Sequence, residues 1–172
     1  CKSYNGFIND YTIIGPLVFA NHSDLALSKE KKYDIMFIDQ TENISDFEFN
    51  IKDKIITSPN KKYLDDIKTF VKKNLHISYC FQLRNKYTAN ELKTVNEFFK
   101  DTSIKVYQNN KFSDSYSVMQ FSNLIVTNYS TMGIEGIYMG KKVLFTNHMG
   151  DQDYSIINDK NYQIESLNYE VF

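Results

Sequence analysis

Five short apolar runs, rich in β-branched and aromatic residues, recur along the chain from residue 33 onward: Asp34–Ile38, Ile77–Leu83, Ile104–Tyr107, Leu124–Thr127 and Val143–Phe145. Runs of this length, without strict alternation, read as strands buried on both faces, the pattern of a parallel sheet. Between them the apolar residues change to helical spacing. Tyr63, Leu64, Ile67, Phe70, Val71 and Leu75 repeat at the spacing of a predicted helix over about Lys61–Asn74, with lysines between them. Leu92, Val95, Phe98 and Phe99 do the same over Ala89–Lys100, and Ser113 or Ser115 caps a shorter helix ending at Phe121. A fourth helix starts at Ser130 or Thr131 and closes at Gly140. The alternation predicts an α/β fold: a Rossmann-like, doubly wound parallel sheet in a single domain, with helices on both faces and right-handed crossovers. Two stretches resist the pattern. Over 43–58, Phe47, Phe49 and Ile51 alternate with polar residues and fit either an edge strand or an irregular excursion; over 155–172 the weak pattern predicts a helix swinging back across the domain.

The chemistry concentrates around the fourth run, where Leu124–Thr127 stops at the polar turn Asn128-Tyr129-Ser130-Thr131 and a helix begins. A strand feeding such a turn leaves unpaired backbone N–H groups and the positive end of a helix dipole facing one crevice, where phosphates bind. Gly133, in the first helical turn, lets a ligand or a neighbouring backbone come close. Glu135, about one turn further on, lies within reach of a sugar hydroxyl attached to that phosphate. The same residues also fit a plain strand–helix–strand unit in which Ser130 and Thr131 are caps only and Glu135 is solvated. Two other loops should open on the same face, because parallel strands all point one way. The first run ends in Asp39-Gln-Thr-Glu42, and the second ends in Arg84-Asn85-Lys86, where Arg84 offers a cation for phosphate.

Composition narrows the partners. The 172 residues carry 20 Lys+Arg against 21 Asp+Glu, a net charge of −1, so no global basic field favours nucleic acid and any phosphate must be held locally. No apolar run approaches the ~20 residues of a membrane span. Two cysteines, Cys1 and Cys80, form neither a metal spacing nor a disulfide framework, which fits a reducing compartment. Of the three histidines, His22 and His76 read as structural. His148 follows the last predicted strand on the ligand face and is the candidate to touch phosphate or acceptor. Asp151 and Asp153 share a loop with it, but two carboxylates without further ligands predict no metal site.

The stretch Phe121-Ser-Asn-Leu-Ile-Val-Thr-Asn-Tyr-Ser-Thr-Met-Gly-Ile-Glu-Gly-Ile-Tyr-Met-Gly-Lys-Lys-Val-Leu-Phe resembles the C-terminal half of GT-B-fold glycosyltransferases of bacterial surface-carbohydrate synthesis. Relatives of that family include CDP-glycerol glycerophosphotransferases and UDP-N-acetylglucosamine 2-epimerases. There a strand ends in Thr-Asp/Asn-Tyr-Ser-Ser/Thr, and the next helix carries an acid before a Gly-Lys-Pro-Val turn. Glu135 and Gly140-Lys141-Lys142-Val143 stand at those places, with Lys142 for the proline, and Gln82-Leu83-Arg84 stands where relatives often have a His-Pro. The resemblance implies a donor domain that binds a nucleotide-sugar or CDP-alditol as substrate, with no cofactor and no metal. By that resemblance Ser130 and Thr131 at the helix start would bind the donor diphosphate and Glu135 would accept hydrogen bonds from the ribose hydroxyls; Asn128, Tyr129 and Gly133 of the same turn join the donor-binding set, and Arg84 and His148, from their places in loops on the ligand face, are the catalytic candidates. It also implies that residues 1–32, with Ile14-Gly15-Pro16, are an inter-domain segment or a remnant of an N-terminal domain, and that residues 33–172 form the nucleotide-binding domain. The lack of an initiating methionine fits that expectation. The missing N-terminal domain, or a partner subunit, would bring a carbohydrate or lipid-linked acceptor, in the cytoplasm or at the inner face of the membrane. Two alternatives stand beside this reading: a non-catalytic α/β regulatory or interaction module, and an epimerase-like sugar-nucleotide enzyme.

Overall fold

A computed structural model of the chain describes residues 31–41, 44, 59–84, 87–108, 112–128, 130–146 and 163–164. Along them run β1 (Tyr33–Ile38), α1 (Pro59–Lys73), β2 (Tyr79–Gln82), α2 (Ala89–Phe99), β3 (Lys105–Tyr107), α3 (Phe112–Gln120), β4 (Ser122–Thr127), α4 (Thr131–Tyr138), β5 (Lys142–Thr146) and β6 (Gln163–Ile164). The strands form one sheet in the order β3-β2-β1-β4-β5-β6, and every neighbouring pair is parallel. This is the Rossmann-like α/β architecture that the apolar runs predict.

The strand side chains separate into two cores, as the pleat requires. Ile35, Phe37, Tyr79, Phe81 and Val126 face α1 and α2, against Tyr63, Leu64, Ile67, Val95 and Phe98. Met36, Ile38, Cys80, Ile125, Val143 and Phe145 face α3 and α4, against Tyr116, Val118 and Met119. Each fully buried side chain of this size stabilises the fold by about 1.5–3 kcal/mol, so the two layers together hold the sheet. The helices divide between the faces for a topological reason. The chain winds outward from β1 through β2 to β3, then crosses back to β4 and continues to β5. Crossovers of one hand that travel in opposite directions must lie on opposite faces.

The amino-terminal ends of the strands are closed by polar contacts. Ser78 donates its N–H (2.9 Å) and hydroxyl (2.7 Å) to Asp34 Oδ2, tying β1 to the approach to β2. Lys141 is buried, and its ammonium donates to the carbonyls of Gln120 (2.6 Å) and Ser122 (3.3 Å), satisfying the end of α3. Burial and the nearby Lys31 push its pKa down to about 8.

Several boundaries differ from the sequence expectation. The second strand starts at Tyr79, because Asn74 ends α1 with its side chain on the Phe70 carbonyl and residues 75–77 form a turn. The helix expected over 155–172 gives way, at Gln163–Ile164, to a short edge strand paired with Phe145 and Thr146. The 43–58 excursion, apart from residue 44, and the segment 1–30 lie outside the described residues.

Candidate functional site

The strand order reverses at β1: β2 leads away on one side, and β4 is reached on the other only after the crossover from β3. At such a point the loops leaving the carboxyl ends part in opposite directions and open a crevice. One lies there, with a cavity of about 290 Å3 lined by Ile38, Asp39 and Gln40 at the end of β1, Gln82, Leu83 and Arg84 at the end of β2, and Ser130, Thr131 and Met132 at the start of α4. That is just under the ~300–1,000 Å3 typical of ligand sites. It suits a compact polar group such as a diphosphate with part of its substituent.

The ends of β1 and β4 are tied together by Tyr63. This α1 side chain reaches under the sheet ends, and its hydroxyl lies 3.0 Å from the Val126 carbonyl and 3.3 Å from the Ile38 carbonyl. These two carbonyls lie at the ends of β4 and β1, where the strands diverge. Burial, reinforced by Asp39, holds the Tyr63 hydroxyl well above its ordinary pKa, so it stays a donor.

Ser130 is the N-cap of α4, in extended conformation, its Oγ accepting the Met132 N–H at 3.2 Å. The Gly133 N–H goes to the Ser130 carbonyl (2.9 Å), and the Thr131 N–H has no partner among the described residues. Thr131 is exposed at the crevice mouth, so its amide, its hydroxyl and the helix dipole are presented together. The turn before it is fixed: buried Asn128 accepts from the Thr146 hydroxyl through Oδ1, and the Ser130 N–H reaches Thr127 Oγ1 at 3.4 Å. Asn128 thus braces the turn.

On the opposite wall, Arg84 is exposed and its Nη1 donates to the Thr41 carbonyl at 2.9 Å, leaving the rest of its planar fork for a ligand. Beneath it sits Asp39, 1% exposed. Asp39 Oδ1 accepts from the Thr41 N–H (2.9 Å) and hydroxyl (2.7 Å), and Oδ2 accepts from the Tyr87 hydroxyl (2.8 Å) and the Arg84 N–H (3.3 Å). The Thr41 and Tyr87 hydroxyls also meet. Burial raises the Asp39 pKa against the pull of these four donors. In the sequence Asp39 shows only as an acid closing an otherwise apolar strand; its role in the crevice depends on partners at 41, 84 and 87, which come from two loops.

The predicted site residues therefore divide. Arg84, Ser130 and Thr131 are brought together at the crevice. Gly133 is buried against the sheet: a Cβ there would stand 2.8 Å from both Phe145 Cζ and Thr127 Cγ2, so its lack of a side chain lets α4 sit close on the sheet. Glu135 is outside the crevice lining. Its Oε2 accepts from the buried Tyr116 hydroxyl at 2.6 Å, so the carboxylate is held by α3 and is not merely solvated. Tyr129 and His148, with Asp151 and Asp153, lie outside the described residues.

No protein-family model matches the chain, and no curated protein does. Among solved structures, the crystal structure of a UDP-GlcNAc 2-epimerase from Neisseria meningitidis bound to UDP-GlcNAc is similar, at 14% identity and a TM-score of 0.45. The match covers 77% of this chain and 31% of that one. Under a third of that protein's length is thus spanned.

Thiol chemistry is disfavoured at Cys80, which is buried beneath α3, with its pKa pushed up to about 12 by burial. Among the described residues, no group of three or more His, Cys, Asp or Glu is placed to hold a metal ion, and no helix is long and apolar enough to cross a membrane.

Proposed function

We propose that the crevice holds the diphosphate of an activated donor, a nucleotide-sugar or CDP-alditol, and that the chain is the donor-binding half of a glycosyltransferase building bacterial capsule, lipopolysaccharide or teichoic-acid-type polymers. The observation that carries this reading is the convergence of Thr131, the Ser130-capped start of α4 and Arg84 on one crevice at the strand-order reversal. A helix terminus and a guanidinium suit a departing diphosphate, since both stabilise negative charge that grows as the bond to the transferred group breaks. The motif resemblance around Asn128–Glu135 supports the same assignment. In this reading Tyr129 covers the donor, one oxygen of Glu135 accepts the ribose hydroxyls while the other stays with Tyr116, and His148 stands near the acceptor. The acceptor, a carbohydrate or lipid-linked chain, comes with a further domain or subunit on the cytoplasmic side of the membrane.

A non-catalytic module is the second reading, and one observation favours it: the Tyr116 hydrogen bond gives Glu135 a structural use that needs no ligand. Titration of the protein with UDP and CDP beside uridine and cytidine separates the two. The proposed site draws most of its affinity from the diphosphate, so the nucleosides should bind at least about tenfold more weakly, the effect expected for losing one or two charge-assisted hydrogen bonds. Equal binding of nucleoside and diphosphate, or binding of neither, contradicts the proposal.

A further inference from the structure

We infer that Asp39 is the positioning residue of the crevice, the group that holds Arg84 in place to meet a diphosphate; this rests on the donor-site reading above. Arg84 is fixed at two points. Its backbone N–H goes to Asp39 Oδ2, and its Nη1 goes to the Thr41 carbonyl. Thr41 is itself held by Asp39 Oδ1, through both its N–H and its hydroxyl. Both tethers of the arginine therefore run through one carboxylate. The Asp39 N–H, donating to the Gln82 carbonyl at 2.9 Å, fixes the carboxylate's own backbone to the end of β2. Tyr87 completes the set from the far side of the 84–87 loop.

Asp39 lines the crevice but is not disposed to act on substrate. A carboxylate has about four acceptor sites, and four donors of this chain already reach this one. Without it, Arg84 would be a long exposed side chain that loses several rotamers on meeting a ligand. With it, one donor of the guanidinium is anchored and the fork is ordered beforehand, which lowers the entropic cost of binding.

The discriminating contrast is Asp34, at the opposite end of the same strand. It too accepts several hydrogen bonds, from Ser78 and Asn123, yet touches nothing at the crevice. The experiment is a double-mutant cycle on the whole chain, with inorganic pyrophosphate, UDP and CDP as probes. Asp39→Asn turns two N–H donors toward groups that are themselves donors, and Arg84→Ala removes the cation. Each should weaken binding about tenfold. In the Arg84→Ala background Asp39→Asn should cost almost nothing more, because it acts through the arginine. Asp34→Asn should lower stability while leaving affinity within about twofold, as expected for a distant site with no shared partners. If Asp39→Asn does not fold, Tyr87→Phe, which removes one donor, should weaken binding measurably, and again only while Arg84 is present. Additive losses at Asp39 and Arg84, or an equal loss in Asp34→Asn, overturn the inference. A ligand-free readout separates it from the donor-site reading. The Arg84 guanidinium nitrogens should show slowed rotation by NMR in the wild type and in Asp34→Asn, and free rotation in Asp39→Asn. If wild type binds no probe, the donor-site reading fails, and the positioning role stands or falls on that signal alone.

Discussion

Glu135 shows how one side chain's partner changes what a substitution should do. Its carboxylate takes the hydroxyl of Tyr116, a residue 2% exposed in the α3–α4 core, so removing the acid takes an acceptor from a buried hydroxyl. The carboxylate also holds the Tyr116 hydroxyl far above its ordinary pKa, after burial itself. We expect Glu135→Ala to lower stability by about 1–3 kcal/mol. Glu135→Gln, which keeps an acceptor, should lose less, and pairing Glu135→Ala with Tyr116→Phe should recover part of the loss. Urea denaturation of the four proteins checks this; an unchanged midpoint in Glu135→Ala contradicts the hydrogen bond. At this scale the sequence was informative about residue type and less so about direction. Ser130 as a cap and Arg84 at a strand end could be read from neighbours a few residues away. Asp39 and Tyr116 could not: Thr41 is two residues from Asp39, but its other partners, Arg84 and Tyr87, lie 45 and 48 positions along, and Tyr116 lies 19 from Glu135.

Helix α4 carries the end proposed to bind the diphosphate, and two glycines seat it on the sheet. At Gly133 a Cβ would meet the Phe145 ring and the Thr127 methyl at 2.8 Å, one rigid and the other on a β-branched side chain of the sheet. At Gly136 it would meet Ile125 Cδ1 at 2.7 Å, the far end of a side chain that can turn aside, and Val143 Cγ2 at 3.2 Å. Gly140, with φ of 71°, then closes the helix: its N–H goes to the Ile137 carbonyl and the Lys141 N–H to the Gly136 carbonyl, both at 2.9 Å. Alanine in a helix interior gains about 1 kcal/mol over glycine in propensity, while overpacking costs about 1–3 kcal/mol. Gly133→Ala should therefore destabilise the protein, by more than Gly136→Ala. A stabilised Gly133→Ala would show that the helix can move off the sheet freely. The elements themselves were legible, because buried strands and amphipathic helices carry opposite apolar periods. One start signal went unread, Thr88-Ala-Asn-Glu91, which forms a reciprocal capping box at the head of α2. The short strand at Gln163–Ile164 had no such period, because two residues are too few to show one.

For the whole molecule, the apolar runs gave five parallel strands but not their order. Nothing local in Tyr33–Ile38 says that β1 lies between β2 and β4; that follows from long-range pairing, with Phe37 between Phe81 and Val126. The order matters most for function, since the reversal at β1 is what opens the crevice and gathers residues 38–40, 82–84 and 130–132 into it. In the proposed function this gathering binds a nucleoside diphosphate, and a thermal-shift panel of UDP, CDP, GDP, ADP and CMP checks it. A ligand at ~100 times its Kd stabilises the fold by about 2.7 kcal/mol, which for a domain of this size raises Tm by roughly 5–10 °C. At least one nucleoside diphosphate should produce that shift, CMP a smaller one, and Arg84→Ala should lose most of it while its unliganded Tm stays close to the wild-type value. If no nucleotide moves the curve at millimolar concentration, or if Arg84→Ala shifts as far as the wild type, the crevice is not a donor site.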